Sequence, residues 1–258
     1  MRKFEGKVAL VTGGARGIGE RTAIDFVRNG GSVVIGDVNQ DLGQALARGI
    51  GEAATYFPLD VTDPDSCVAF VAEGIGRYGR VDYLVNSAVR IKSGPLLDLS
   101  LSDWEEGLRV GLTGTFLATQ AFGRELVKAG RPGAVVNLSS IGGRFPYSGS
   151  GAYSSVKGAI VRLTEQFALE WASHGIRVNA VAPAHVETPL LVYLKDPDVK
   201  RTRSAVTPLG RVGQPEDISS AILYLLSDEA SWVTATTIDI DGGLGKSIMN
   251  HLAGRKWA

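Results

Sequence analysis

The sequence predicts an α/β fold, a single doubly wound domain in which a parallel sheet of seven strands is flanked by helices on both faces. Seven short runs rich in β-branched residues alternate with longer segments of helical periodicity along almost the whole chain. Because right-handed crossovers place helices on the faces of a sheet, this alternation is typical of a parallel sheet covered on both sides. No Pro- or Ser-rich linker, repeat or low-complexity tract divides the chain, so we expect one domain spanning residues 1–258.

The expected strands are short and mostly apolar, as the buried strands of a parallel sheet usually are. They lie at residues 7–12, 32–37, 54–60, 81–86, 134–139, 177–182 and 236–240. Helices are predicted between them, near residues 17–29, 40–50, 64–78, 103–128, 152–173 and 215–227. The strand pattern lapses over about 185–212, where we expect a looser segment.

Composition narrows the range of partners. The chain has 27 basic and 27 acidic residues, which gives no bulk attraction to nucleic acid or to an acidic membrane. No apolar run approaches the ~18–20 residues of a membrane span, and the single cysteine, Cys67, cannot form an internal disulfide. The three histidines are far apart and show no metal-ligand spacing. We therefore expect a cytoplasmic protein with a small-molecule substrate, no metal, and neither nucleic acid nor membrane as a partner.

A glycine-rich turn follows the first strand directly and opens the first helix. Glycines allow a tight turn and a close approach of backbone N–H groups to a pyrophosphate, and the helix N-terminus favours its negative charge. The spacing is G-x3-G-x-G, and a tight connection without a ligand remains an alternative at this point. The residues that we expect to contact a dinucleotide here are Gly13, Arg16, Gly17, Ile18 and Gly19.

Asp37 ends the second predicted strand, where a carboxylate can accept hydrogen bonds from an adenosine ribose and repel a 2′-phosphate. This predicts NAD as the cofactor. Arg16 favours the opposite choice, because a guanidinium in the glycine loop can contact that phosphate. Asp60 and Val61 close the third strand where an adenine edge can rest, although a place near a helix N-cap explains them equally well.

Two side chains with acid–base chemistry share one face of a predicted helix. Tyr153 and Lys157 are four residues apart, and Ser140 follows the fifth strand. Loops at the carboxyl ends of parallel strands converge on the crevice where ligands bind. We therefore expect Ser140, Tyr153 and Lys157 to meet at that edge of the sheet.

Seven segments in order resemble those of the classical short-chain dehydrogenase/reductase family, over essentially the whole chain. They are TGGARGIG (12–19), DV (60–61), NSA (86–88), Ser140, YSSVK (153–157), RVNAVAP (177–183) and DIDGG (239–243). The resemblance implies a Rossmann-type domain, a homotetramer, and a mobile lid over the substrate at about 185–212. It also implies further cofactor contacts from Asn86, Ala88, Tyr153, Lys157, Pro183, Val186 and Thr188.

The same resemblance assigns roles to the three polar side chains. Tyr153 exchanges the alcohol proton while hydride passes between the carbinol carbon and the nicotinamide. Lys157 lowers the pKa of that phenol, ordinarily near 10, and holds the nicotinamide ribose. Ser140 orients the substrate oxygen. Gly111 departs from the family pattern, which usually has an asparagine there in a proton relay. An enlarged cavity filled by water, another proton path or an impaired catalyst are the three consequences that we consider.

Four cationic or titratable side chains fall on loops expected to line the cleft, namely Arg90, Lys92, Arg144 and His185. We expect some of them to bind a polar substrate through charge-assisted hydrogen bonds, with solvated surface charge as the alternative. The predicted function is an NAD-dependent oxidoreductase that interconverts a polar secondary alcohol, sugar-like or anionic, and its ketone or lactone. The alternatives are an NADPH-dependent carbonyl reductase and a non-catalytic dinucleotide-binding protein.

Overall fold

Seven parallel strands form the centre of the protein, described over residues 3–247 by a computed structural model. The order along the sheet is β3-β2-β1-β4-β5-β6-β7, so the chain winds outward in both directions from β1 and β4. The predicted seven-stranded, doubly wound sheet is therefore confirmed. The strands are β1 Val8–Thr12, β2 Ser32–Asp37, β3 Ala54–Pro58, β4 Tyr83–Asn86, β5 Gly133–Leu138, β6 Ile176–Pro183 and β7 Thr237–Ile240.

Helices cover both faces of the sheet. Because successive strand residues point to opposite faces, Leu10 and Val34 pack with helices on one side, while Val11 and Ile35 pack on the other. The first side is formed mainly by α3, α5 and α6, and the second by α1 and α8. The helices are α1 Gly17–Arg28, α2 Gln40–Ile50, α3 Pro64–Tyr78, α4 Leu101–Leu108, α5 Gly114–Ala129, α6 Tyr153–Trp171, α7 Pro197–Val206 and α8 Pro215–Leu226.

The region predicted as one helix over 103–128 is interrupted. A five-residue π-helix, Arg109–Thr113, separates α4 from α5. Gly111 lies within it, and its carbonyl oxygen accepts a hydrogen bond of 2.7 Å from Thr115 Oγ1. Hydrophobic periodicity does not distinguish this wider turn from an ordinary one, so the prediction of a continuous helix was wrong here.

The segment that lacks strand patterning, residues 185–212, contains a helix that the sequence analysis did not predict. Helix α7 begins after Asp196, whose carboxylate accepts from the backbone N–H of Asp198 at 2.9 Å, and Pro197 occupies the first turn. These two residues were the available signal, but α7 has no continuous apolar stripe. An isolated parallel bridge between Val186 and Gly213 joins the two ends of the segment.

Within residues 3–247, no helix combines the length and the apolar character that crossing a bilayer requires. The same part of the chain contains no group of three or more His, Cys, Asp or Glu side chains that could hold a metal ion. His251 lies outside the described residues.

Candidate active site

The candidate site lies at the carboxyl ends of the strands, where the order of the sheet reverses between β1 and β4. Thr12, the last residue of β1, links the two strands through its hydroxyl oxygen. This oxygen accepts hydrogen bonds from the backbone N–H of Ser87 at 3.2 Å and of Ala88 at 3.3 Å. Ligands of doubly wound sheets bind in the crevice outside this reversal.

The glycine loop packs so closely on neighbouring backbone that side chains at its key positions would clash with protein atoms. A Cβ on Gly13 would lie 2.7 Å from the Cα of Ala88, and one on Gly19 would overlap the carbonyl oxygen of Gly13. Gly13 and Gly17 also have φ values of +61° and +62°, which disfavour other residues. A Cβ on Gly17 would lie 3.5 Å from Thr188, so the loop faces the segment after β6. These glycines would expose backbone N–H groups at the start of α1 to a pyrophosphate.

Asp37 is held in a fixed position beside this loop. Its two carboxylate oxygens accept hydrogen bonds from the backbone N–H groups of Ala15, at 3.1 Å, and Asn39, at 2.9 Å. Each oxygen keeps a second lone pair for a ribose hydroxyl. Arg16 is exposed and forms no ion pair with a carboxylate in the part of the chain that is described.

The residues predicted near the adenine, Asp60 and Val61, form the turn before α3. The Asp60 carboxylate accepts hydrogen bonds of 2.8 Å from both the N–H and the hydroxyl of Thr62. Asp63, not Asp60, caps α3. Val61 is buried, and a Cβ on Gly114 would lie 2.6 Å from its Cγ2, so the turn packs directly on α5.

Asn86, at the end of β4, belongs to a buried polar chain across the centre of the sheet. Its side-chain nitrogen donates to Thr119 and to Asn137, both at 2.8 Å, and Asn137 donates to Thr164 at 2.9 Å. The Oδ1 atom of Asn86 is buried without a hydrogen-bond partner. These bonds tie β4 and β5 to helices α5 and α6 below the crevice.

The structure brings Ser140, Tyr153 and Lys157 together at the carboxyl edge of β5. A Cβ built on Gly142 would lie 3.4 Å from Ser140 Oγ and 3.6 Å from Tyr153 Cε1, so these two side chains border the same small space. The Lys157 ammonium lies 5.7 Å from the centre of the Tyr153 ring and donates a 2.5 Å hydrogen bond to the carbonyl oxygen of Leu138. Ser140 Oγ also accepts from the Gly142 N–H at 3.0 Å.

Two residues that the sequence analysis missed hold this arrangement. Ser139 donates a 2.8 Å hydrogen bond to the backbone carbonyl of Lys157. A Cβ on Gly143 would lie 2.6 Å from the carbonyl carbon of Lys157, so only glycine allows the turn after β5 to contact the backbone of α6. A second glycine near Ser140 was the available signal in the sequence, but the approach of two backbones cannot be derived from spacing alone.

Burial dominates the electrostatics of the pair Tyr153 and Lys157. It raises the pKa of the Tyr153 phenol, although a hydrogen bond from Ser140 acts in the opposite direction. Burial also lowers the pKa of the Lys157 ammonium to about 8. The family resemblance predicts that Lys157 lowers the pKa of the phenol. The structure of the protein alone gives the opposite direction, because desolvation of the phenolate is the larger effect.

Three of the four cations predicted to bind an anion already have carboxylate partners. Arg90 pairs with Glu106 at 2.8 Å and Lys92 with Asp103 at 2.7 Å. Arg144 pairs with Asp239 at 2.9 Å. These ion pairs neutralise three of the predicted charges locally, and sequence spacing does not reveal the pairing. That any of the three contacts the substrate stays a prediction.

His185, the fourth, is only partly exposed and lies beside two residues of the 185–212 segment. Its Nδ1 is 3.3 Å from the Tyr193 hydroxyl, and its Nε2 is 3.3 Å from a guanidinium nitrogen of Arg203. Burial, and then the charge of Arg203, lower the pKa of His185 below its ordinary value. Both effects favour the neutral form of His185. Arg203 was not among the predicted site residues, because α7 itself was not predicted.

The space next to Gly111 is filled by protein. A Cβ on Gly111 would lie 2.6 Å from Cγ1 of Val156, a buried residue of α6 between Tyr153 and Lys157. Of the three consequences considered for the missing asparagine, this contact argues against an enlarged cavity filled by water. A different proton path and a slower catalyst remain.

We expect Gly111→Asn to lower the free energy of unfolding by about 1–3 kcal/mol, because the added side chain overlaps Val156. Val156→Ala in the same chain removes the overlapping methyl group. The double variant should then be more stable than the sum of the two single changes by at least about 0.5 kcal/mol. Denaturant unfolding of all four proteins measures this coupling. Gly49→Asn in α2, where nothing lies within 4 Å, is the matched control. Strictly additive effects would contradict the packing argument.

Comparison with known proteins agrees with this geometry. A family profile described as enoyl-(acyl carrier protein) reductase matches residues 13–245. The 3-oxoacyl-(acyl-carrier-protein) reductase of Thermotoga maritima is 38% identical over 245 residues, which cover 94% of this chain and 99% of that protein. The cis-4-hydroxycyclohexanecarboxylate dehydrogenase of Sinomonas cyclohexanicum is 40% identical over 244 residues, covering 93% and 97%.

A solved structure of a short-chain type dehydrogenase/reductase from Mycobacterium ulcerans superposes with a TM-score of 0.90 at 29% identity. The match covers 95% of this chain and 91% of that one. The extent of the profile match, the identity of the full-length relatives and the shared topology all agree with the sequence resemblance. This chain belongs to the short-chain dehydrogenase/reductase family and is an oxidoreductase that acts on CH–OH groups.

Proposed function

We propose that this protein is an NAD-dependent dehydrogenase that interconverts a polar secondary alcohol and its ketone or lactone. The observation that carries the proposal is the convergence of Ser140, Tyr153 and Lys157 on one space at the carboxyl edge of the sheet, the edge at which the glycine loop also lies. When bound, oxidised nicotinamide supplies the hydride acceptor and a positive charge. The proton must then be moved by the protein.

In this proposal, Tyr153 accepts the hydroxyl proton of the alcohol, or returns it to the carbonyl oxygen in the reverse direction. Ser140 holds the same oxygen through its hydroxyl, which also fixes the orientation of the carbinol carbon. Lys157 favours the ionised form of Tyr153 and contacts the nicotinamide ribose. Its hydrogen bond to the Leu138 carbonyl fixes the position of the ammonium.

The preference for NAD is inferred from Asp37. A fixed carboxylate beside the loop accepts the ribose hydroxyls and repels a 2′-phosphate at the same place. Cofactor contacts are proposed for the glycine loop, Asp60, Val61, Asn86, Ala88, Pro183, Val186 and Thr188. The exposed Arg16 favours the second candidate, an NADPH-dependent carbonyl reductase.

We expect Asp37→Asn to reduce the ratio of kcat/KM with NAD to kcat/KM with NADP by about tenfold or more. The change removes the negative charge that repels the 2′-phosphate. Two like charges a few ångströms apart near a protein surface repel each other by several kcal/mol. Initial rates with both cofactors measure the ratio. Arg16→Gln is the paired variant, because it should lower activity with NADP only. A wild-type enzyme with a higher kcat/KM for NADP than for NAD would contradict the proposed preference for NAD.

The substrate class is proposed from the relatives together with the site. The Sinomonas relative is named for a secondary alcohol on a carboxylated ring, and the Thermotoga relative for a ketone on a carrier-bound acyl chain. Both reactions occur at secondary CH–OH or C=O carbons in polar molecules. A panel of sugars, hydroxy acids, ring alcohols and steroid alcohols, followed by nicotinamide absorbance, tests the proposal. Absence of turnover with every member would contradict it.

We also propose a homotetramer, with helices α5 and α6 in the subunit interface, and a lid formed by residues 185–212. Phe116 on α5 is 37% exposed and Leu169 on α6 is 76% exposed, which leaves apolar surface for a partner copy. The cytoplasm is the proposed location, because the sole cysteine, Cys67, is a buried free thiol.

A further inference from the structure

Helix α7 carries three cations near the candidate site, and two of them are neutralised locally. Lys200 pairs with Glu187 at 2.7 Å and Arg201 with Asp198 at 2.9 Å. Arg203 forms no ion pair with any carboxylate among residues 3–247. Its guanidinium instead lies 5.9 Å from the centre of the Tyr193 ring. The helix therefore presents one unbalanced positive charge.

The hydrogen bonds around Arg203 leave a second donor available. A guanidinium can only donate, so His185 Nε2 must accept from Arg203, and the neutral ring then carries its proton on Nδ1. That Nδ1–H donates to the Tyr193 hydroxyl oxygen at 3.3 Å. The proton of the Tyr193 hydroxyl is consequently free to donate to another group.

This cluster follows directly on a backbone group that contacts a candidate catalytic residue: Ser140 Oγ donates a 3.4 Å hydrogen bond to the carbonyl oxygen of Pro183, two residues before His185. A Cβ on Gly142 would lie 3.1 Å from Tyr147 Cε1, as well as 3.6 Å from Tyr153 Cε1. The phenols of Tyr147 and Tyr193 both raise the pKa of Tyr153. Arg203 in turn acts on the pKa of Tyr147 and Tyr193. The Arg203 guanidinium is thus coupled to these two phenols and contacts the ring of Tyr193.

We propose that Arg203 and the Tyr193 hydroxyl bind a carboxylate group of the substrate, at the end of the molecule remote from the carbon that is oxidised. The inference rests on the proposed function and adds the substrate class, a hydroxy acid. The planar guanidinium matches a carboxylate in two parallel hydrogen bonds. Arg203 is the one cation of α7 without a carboxylate partner among the described residues, so its charge matches the single negative charge of a monocarboxylate. The rings of Tyr147 and Tyr193, half exposed, provide walls for an apolar body between the two polar ends.

Binding of cyclohexanecarboxylate, a ring acid without a hydroxyl group, tests the inference without requiring turnover. Calorimetry on the protein with saturating NADH compares this acid with cyclohexanecarboxamide, which has nearly the same shape and no charge. We expect the acid to bind more tightly to the wild type. Arg203→Gln should weaken binding of the acid by about tenfold or more and leave the amide unchanged. Arg203→Lys should retain part of the preference.

Arg201→Gln is the matched control, because it removes a charge from the same helix roughly 200° around its axis. This variant should bind the acid like the wild type. Equal affinity of the wild type for acid and amide, or an equal loss in the Arg201 and Arg203 variants, would overturn the inference.

Turnover separates this inference from the proposed function. If the protein binds the acid more tightly than the amide but oxidises no alcohol, the proposed function is wrong and the carboxylate site is supported. If the protein oxidises neutral alcohols but binds the acid no more tightly than the amide, the carboxylate site is wrong and the proposed function is supported.

Discussion

Tyr153→Phe is expected to lower kcat by about 10²–10⁴-fold, because it removes the group that exchanges the proton with the substrate oxygen. The ring remains to pack against Lys157 and Gly142, so KM and the affinity for NADH should change little. Steady-state rates with the best substrate of the panel, together with fluorescence titration of NADH, measure the two effects separately.

Tyr78→Phe is the control for this change. The Tyr78 hydroxyl is also partly buried, and burial raises its pKa. Tyr78 is the last residue of α3, and its hydroxyl lies 3.5 Å from the carbonyl oxygen of Glu52, far from the crevice in the topology. The control should keep full activity. A Tyr153→Phe enzyme that retains more than a tenth of the wild-type kcat would show that another group transfers the proton.

Lys157→Met is expected to remove most activity and at the same time to stabilise the fold. Burial lowers the pKa of Lys157 to about 8, so the folded protein at pH 7 holds a charged ammonium at a free-energy cost. Methionine fills a similar volume without that cost, although the Leu138 carbonyl loses its hydrogen bond. We expect a net gain of about 1–2 kcal/mol in the free energy of unfolding at pH 7.

The pH dependence of this gain identifies its cause. Below pH 8 the ammonium is charged in both the folded and the unfolded chain, and the full penalty is present. Between pH 8 and the ordinary lysine value near 10.5, the unfolded chain binds more protons, so the stability of the wild type rises relative to the variant. Denaturant unfolding at pH 7 and pH 10 should therefore show a gain that shrinks with pH. A gain independent of pH, or a less stable variant at pH 7, would contradict this explanation.

Much of the fold was predictable because its signals are local. Buried strands alternate with helical segments, and seven parallel strands follow from that pattern. The positions of Ser140, Tyr153 and Lys157 were also accessible, since strand ends of a doubly wound sheet converge and Tyr153 and Lys157 share a helix face. Their roles rest on the family resemblance.

What sequence reasoning missed depends on contacts between distant segments. The partners of Arg90, Lys92 and Arg144 come from α4 and from β7, and no spacing in the sequence indicates them. Arg203 becomes a site residue only once α7 is placed next to His185. The direction of the Tyr153 pKa was missed because nearby charge is readable from sequence, whereas the extent of burial is not.

We expect Tyr153 to be protonated in the protein alone and to ionise more easily when oxidised cofactor joins the Lys157 ammonium. Ultraviolet absorbance of tyrosinate, taken as wild type minus Tyr153→Phe across pH, isolates this one phenol. Without NAD, we predict that it titrates above the ordinary value of about 10. With saturating NAD, we predict a titration below that value. A phenol that titrates at the same high pH with and without NAD would contradict the account.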